Sequence, residues 1–176
     1  MIRFKATLLE PQDGKGGWTF LVLPRTASAK LPTRGQTAVD GTLNGATFKA
    51  MLDPDGNRSH WLKVSAKLRD AAGAKPGDEV HLEIVPAQRA PEPRVPADLR
   101  KALAAAPKAR TVWTDLTPAA RHDWILWITS AKRAETRASR IAGACDMLGS
   151  GKRRVCCFDR SGVYGKSLGA PKAKET

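Results

Sequence analysis

Arg133, Arg137 and Arg140 are spaced by four and three residues, with Lys132 beside the first. On a helix these positions share one face, so the spacing predicts a cationic stripe able to hold phosphates or a carboxylate surface. The planar guanidinium fork favours bidentate binding there over a lysine point charge. The competing reading is internal pairing with Glu135, Asp123 or Asp146, because charge runs commonly form a solvated helix face. A second group is Cys156-Cys157, preceded by Lys152-Arg153-Arg154. Neighbouring cations lower a thiol pKa and raise its reactivity, which makes these candidate reactive thiols; incidental thiols on a mobile tail are the plainer alternative. Cys145 completes an odd count of three, which argues against a disulfide framework. No metal centre or cofactor is expected, since no second cysteine pair or nearby histidine completes a tetrahedral site and His60, His81 and His122 are scattered.

Tryptophans supply five of the ten aromatic residues. Trp124 and Trp127 lie three residues apart on a helical pattern, and Trp18 and Trp61 fall in strand-like runs. Large aromatics usually dominate burial, so these four are read as interdomain packing residues or the wall of a ligand pocket, with base stacking as a further use. No Gly-rich phosphate loop, nucleophile elbow, HExxH string or paired-carboxylate motif occurs. The chain therefore reads as non-enzymatic, and any catalysis would need groups brought together only by folding.

These residues sit in a chain of 176 residues with a net charge of +13, 41% hydrophobic and 27% charged. That is a globular composition, large enough for one ordinary domain or two small ones. Residues 1–88 carry 12 basic and 9 acidic side chains, while residues 89–176 carry 18 and 8, so the second half holds the field. A cationic surface attracts nucleic acid or acidic protein. No apolar run approaches the length of a membrane-spanning helix, and Met1–Lys5 lacks a signal-peptide core, which predicts a cytoplasmic protein.

Three prolines in residues 89–97 predict an extended linker. Upstream, residues 1–88 read as a β domain. Ile2, Phe4, Ala6 and Leu8 alternate with polar residues, and Val80, Leu82 and Ile84 oppose His81 and Glu83. The runs 37–43 and 46–52 flank Asn44-Gly45, a type I′ hairpin signal. Ser65 and Gly73 bracket a short helix. About six short strands with one helical turn predict a closed or nearly closed barrel, which hides the sheet edges. Downstream, residues 98–151 read as helices. The first spans about 96–106 and is stopped by Pro107. Another starts at Thr117-Pro118, and a break near 130–135 precedes a last helix ending at Gly149-Ser150-Gly151. Residues 152–176 read as a basic flexible tail. The fold class is α+β.

Gly17-Trp18, Pro24, Gly41-Thr42-Leu43-Asn44-Gly45 and Gly77-Asp78-Glu79-Val80 resemble the bacterial domain of unknown function 1905. Val95-Pro96, Asp98-Leu99, Trp127-Ile128 and the string Ala131-Lys132-Arg133 through Glu135-Thr136-Arg137 to Arg140-Ile141 resemble the bacteriocin-protection family, also described as associated with an outer-membrane porin. The resemblance covers about residues 1–153 and implies a small double-split barrel, similar to that of AbrB-type transcription factors, followed by a helical module. It also implies stress protection, as tolerance of bacteriocins or cationic peptides, and brings no catalytic residues. The leading expectation is a binding protein that contacts an anionic partner, an acidic protein or nucleic acid, through Lys132, Arg133, Arg137 and Arg140. The alternatives are an AbrB-like nucleic-acid binder, and a small-molecule binder or enzyme with an interdomain pocket.

Overall fold

The computed structural model describes residues 1–155, 158, 163 and 168–175. The chain divides into two compact units, Met1–Ala90 with Asp159–Thr176, and Pro91–Phe158.

The first unit is a six-stranded, nearly closed antiparallel barrel. Its strands are β1 (Ile2–Thr7), β2 (Thr19–Val22), β3 (Thr37–Leu43), β4 (Ala46–Pro54), β5 (His60–Val64) and β6 (Glu79–Pro86), in the order β1-β6-β3-β4-β5-β2. The alternation read from the sequence sets the register. Ile2 faces Ile84, Phe4 faces Leu82 and Ala6 faces Val80. The intervening pairs are polar, and the Arg3 guanidinium reaches the Glu83 carboxylate at 3.0 Å. Asn44 and Gly45 both take positive φ, 46° and 87°, and join β3 to β4. β4 pairs with β3 along residues 46–52 and with β5 only at Asp53 and Pro54, so it passes from one half of the barrel to the other. The two outer strands meet where Leu9 and Phe20 exchange backbone hydrogen bonds of 2.8 and 2.9 Å.

Gly41 of β3 pairs with Ile84 of β6. A Cβ there would lie 2.3 Å from the Glu83 carbonyl oxygen, a backbone atom held by its own ladder. A short helical turn, α1 (Arg25–Ser28), follows β2, and α2 (Ala66–Ala71) follows β5. As expected, Ser65 accepts a hydrogen bond from the Leu68 amide at the start of α2. α1 is not apparent in the sequence, where Pro24 reads only as the end of a strand. Its place is held by His60, which is 1% exposed. Its Nε2 lies 2.8 Å from the Gly35 carbonyl oxygen, which can only accept, so Nε2 donates. Nδ1 then accepts from the Ser28 hydroxyl at 2.7 Å. Burial pushes this imidazole below its ordinary 6.5, outweighing the Gly35 hydrogen bond and the nearby Asp55 charge.

The second unit packs α3 (Ala97–Ala104), α4 (Pro107–Asp115), α5 (Pro118–Thr129) and α6 (Ala134–Gly149). Leu99, Leu103, Trp113, Trp124, Ile128 and Leu148 are among the buried residues of its core. Thr117 caps α5 through the Ala120 amide, with Pro118 in the first turn. Pro107 follows the end of one helix and occupies the first turn of the next, so α4 occupies a stretch of the helical module in which the sequence reading places no helix of its own. Of the stretch expected as a linker, residues 91–96 lie against this unit: His122 Nε2 donates to the Pro91 carbonyl at 2.7 Å, and Arg100 donates to the Val95 carbonyl at 3.0 Å. In the stretch expected as a mobile tail, residues 172–174 instead pair with residues 10–12 of the first unit.

Two measurements check the barrel. Gly41→Ala should cost about 2 kcal/mol, from backbone strain of the usual size, and lower the melting temperature by roughly 4–8 °C for a chain of this length. His60 should titrate below 6.5 by NMR. Because the unfolded chain then binds a proton that the folded chain refuses, stability should fall as pH drops from about 6.5 toward the lowered value. Replacing His60 with Gln should flatten that slope.

Candidate functional site

The cationic cluster expected from the sequence lies at the turn between α5 and α6. α5 ends at Thr129 and α6 begins at Ala134, leaving Ser130–Arg133 as the connection. Arg133 is therefore the extended residue before α6, with φ −112° and ψ 146°. It does not continue the face that carries Arg137 and Arg140.

The four side chains separate into two kinds. Arg137 makes a two-pronged contact with Asp98 at the start of α3, Nε to Oδ2 at 2.7 Å and an Nη2 bond to Oδ1 at 3.1 Å. This hydrogen-bonded guanidinium holds the Asp98 carboxyl below its usual range, and Asp98 in turn raises Arg137. Arg140 turns back onto α5. Its Nη1 donates to the Trp127 carbonyl and to the Ser130 hydroxyl, the latter at 3.0 Å. Its guanidinium carbon lies 5.5 Å from the centroid of the Trp127 ring. The last carbonyls of a helix lack intrahelical donors and carry partial negative charge, so a cation there both satisfies a hydrogen bond and opposes the helix dipole.

Lys132 and Arg133 are exposed. Among the described residues, none of the ion pairs found engages either of them. They stand beside the first turn of α6, whose amides have no side-chain cap at Arg133. Helix N-termini are electropositive; Glu135 in that turn offsets part of this field. The arrangement offers two exposed cationic groups.

The four tryptophans divide two and two between the units. In the barrel, Trp18 and Trp61 flank the buried Phe20 at centroid distances of 6.3 and 6.2 Å, and Lys63 Nζ lies 4.7 Å over the Trp18 ring. In the helical unit, Trp124 is fully buried, meets Trp127 edge-on at 6.1 Å and donates to the Arg153 carbonyl at 3.2 Å. Cys156 and Cys157 lie outside the described residues. Cys145 is half-buried, and burial together with the Asp146 charge pushes its thiol upward, away from the thiolate. Among the described residues no group of three or more His, Cys, Asp or Glu side chains is placed to hold a metal ion.

Two structural cations escape sequence reasoning. Arg121 donates from Nε to the Trp113 carbonyl at 3.0 Å and from Nη2 to the Thr114 carbonyl at 2.8 Å, closing the end of α4, and it also pairs with Glu92. Arg153 reaches Asp115 by its carboxylate and its carbonyl, both at 2.9 Å. The partners of Arg121 and Arg137 lie up to 39 residues away, beyond the range of helical spacing rules. No helix of the described residues is long and apolar enough to cross a membrane.

Comparison with known families divides the chain at the same place. Residues 4–84 match the family described as a domain of unknown function, DUF1905. Residues 92–151 match the family described as Bacteriocin-protection, YdeI or OmpD-Associated. A search of curated proteins finds no match to the chain.

The four cations should separate in urea denaturation. Arg140→Gln, which frees a helix-terminal carbonyl from a charged donor, should cost about 1–2 kcal/mol. Arg137→Gln breaks a partly exposed ion pair and should cost about 0.5–1 kcal/mol. Lys132→Gln and Arg133→Gln should stay within about 0.5 kcal/mol of the unaltered chain.

Proposed function

We propose that this chain, in which a DUF1905 domain precedes a bacteriocin-protection domain, is a non-enzymatic stress-protection protein that offers the α5–α6 turn of its helical unit to an anionic partner. The observation that carries the reading is the separation of the cationic cluster. Arg137 and Arg140 have internal partners, while Lys132 and Arg133 are exposed at an electropositive helix start. Residues 91–158 also carry 13 basic against 6 acidic side chains. The field around the turn therefore favours an anion, and an exposed contact of this kind weakens as salt rises.

The reading narrows the binding set from four residues to two. Arg137 and Arg140 shape the turn, and Lys132 and Arg133 make the contact. An acidic protein surface fits better than a deep ligand site, because both side chains are exposed on the connection between two helices.

The test is a Lys132→Gln/Arg133→Gln double variant in cells challenged with a bacteriocin or cationic peptide. Protection should fall to the level of cells lacking the protein, while the purified variant melts within about 2 °C of the unaltered chain. Full protection by a folded double variant removes the proposal. Titration against a DNA duplex at increasing salt identifies the anion: a steep fall of affinity with salt marks phosphate contacts, with a slope that counts them.

A further inference from the structure

The barrel carries a short sheet edge that the chain covers with its own residues 172–174. Beyond the closing contact at Leu9, residues 10–12 continue as an edge. Residues 172–174 lie antiparallel to it. The Gln12 amide donates to the Lys172 carbonyl at 2.8 Å, and the Lys174 amide donates to the Glu10 carbonyl at 2.8 Å. Pro11 faces Ala173 between them. The missing donor of Pro11 thus falls at the position of the ladder where no donor is used. Lys174 Nζ also lies 3.7 Å from the Glu10 carboxylate.

The same segment is anchored at its other end. Leu168 is 8% exposed, and the Ala170 amide donates to the Asp55 carbonyl at 3.2 Å. Gly56 adopts φ +75°, and a Cβ there would stand 2.4 Å from the Leu168 carbonyl oxygen. Any larger residue at 56 would collide with the segment's backbone. Beside the ladder, Pro11, Asp13 and Trp18 line a shallow cavity of about 570 Å³ with Pro171 and Lys172. An open sheet edge, an apolar anchor point and a carboxylate for a lysine are the parts by which proteins take up an extended peptide as an added strand.

The geometry points to a peptide-binding edge on the barrel, running from Gly56 to Glu10, that takes an extended basic peptide with a leucine anchor and lysines four and six residues after it. The chain's own residues 168–175 act as the built-in competitor. A tethered segment holds such an edge at high effective concentration even when its intrinsic affinity is weak, so a partner peptide binds by displacing it. This surface is independent of the cationic turn: it lies on the other unit and selects the opposite charge.

The probe is a labelled synthetic peptide of residues 168–175, titrated against the full chain and against a full-length Leu168→Asp/Lys174→Glu variant whose own tail is disengaged. The variant should bind the peptide at least tenfold more tightly than the unaltered chain, and a peptide carrying Leu168→Asp should lose at least tenfold. Equal affinity for both chains, or binding indifferent to the leucine, overturns the proposal. A second measurement does not depend on the variant's folding: at millimolar concentration the unlabelled peptide should shift the amide resonances of Ala170 and Lys174 in the isotopically labelled unaltered chain, whose bonds to Asp55 and Glu10 the peptide takes over, and the absence of shifts there overturns it equally.

Discussion

A twisted six-stranded sheet has two edges, and here two backbone hydrogen bonds between Leu9 and Phe20 join them. That closure constrains the rest of the first unit. It obliges β4 to leave β3 and finish beside β5, and it brings β3 against β6 so closely that only glycine fits at position 41. It also turns the chain after Leu9 so that residues 10–12 project as a short free edge. Unpaired strand edges invite other strands, and the chain covers this one with residues 172–174. The barrel's closure and its peptide-like contact with the C-terminal segment are thus consequences of one geometric requirement.

The helical unit meets a different requirement. Short helices leave many terminal carbonyls without donors, and this unit has four helices within about sixty residues. Arginines supply the missing donors. Arg121 serves the end of α4 and Arg140 the end of α5, while Arg137 ties α6 to α3. Part of the unit's positive charge is consequently structural. Net charge alone overstates the cationic surface available to a partner, and Lys132 and Arg133, in the connection between α5 and α6, are exposed cations that none of the ion pairs found among the described residues engages.

Much of this architecture is legible in the residues themselves. The alternation of Ile2 to Leu8 and of Val80 to Ile84 gives the inward face of two strands, Asn44-Gly45 gives a hairpin, and Ser65 and Thr117 give helix starts. The two prolines at 24 and 107 mislead for one reason. Proline stops a preceding strand or helix, but its fixed φ also suits a helix start: Pro107 occupies the first turn of α4, and Pro24 is the extended residue immediately before α1. The three-arginine spacing misleads for another. Periodicity places side chains on a face only if the helix includes them, and α6 starts one residue after Arg133.

What the sequence determines by itself is local: strand and helix periods, turns that need positive φ, caps, and the net charge of each half. These follow from backbone sterics and side-chain period over a few residues. What only the tertiary structure decides is pairing at a distance. Asp98 as the partner of Arg137, Ser28 and Gly35 as the partners of His60, and Asp55 and Glu10 as the hosts of the C-terminal segment are all separated by many residues. No short-range preference encodes them. They exist because folding brings unsatisfied donors and acceptors together in a low-dielectric interior or along an open edge, where leaving them unpaired costs more than ordering the chain to meet them.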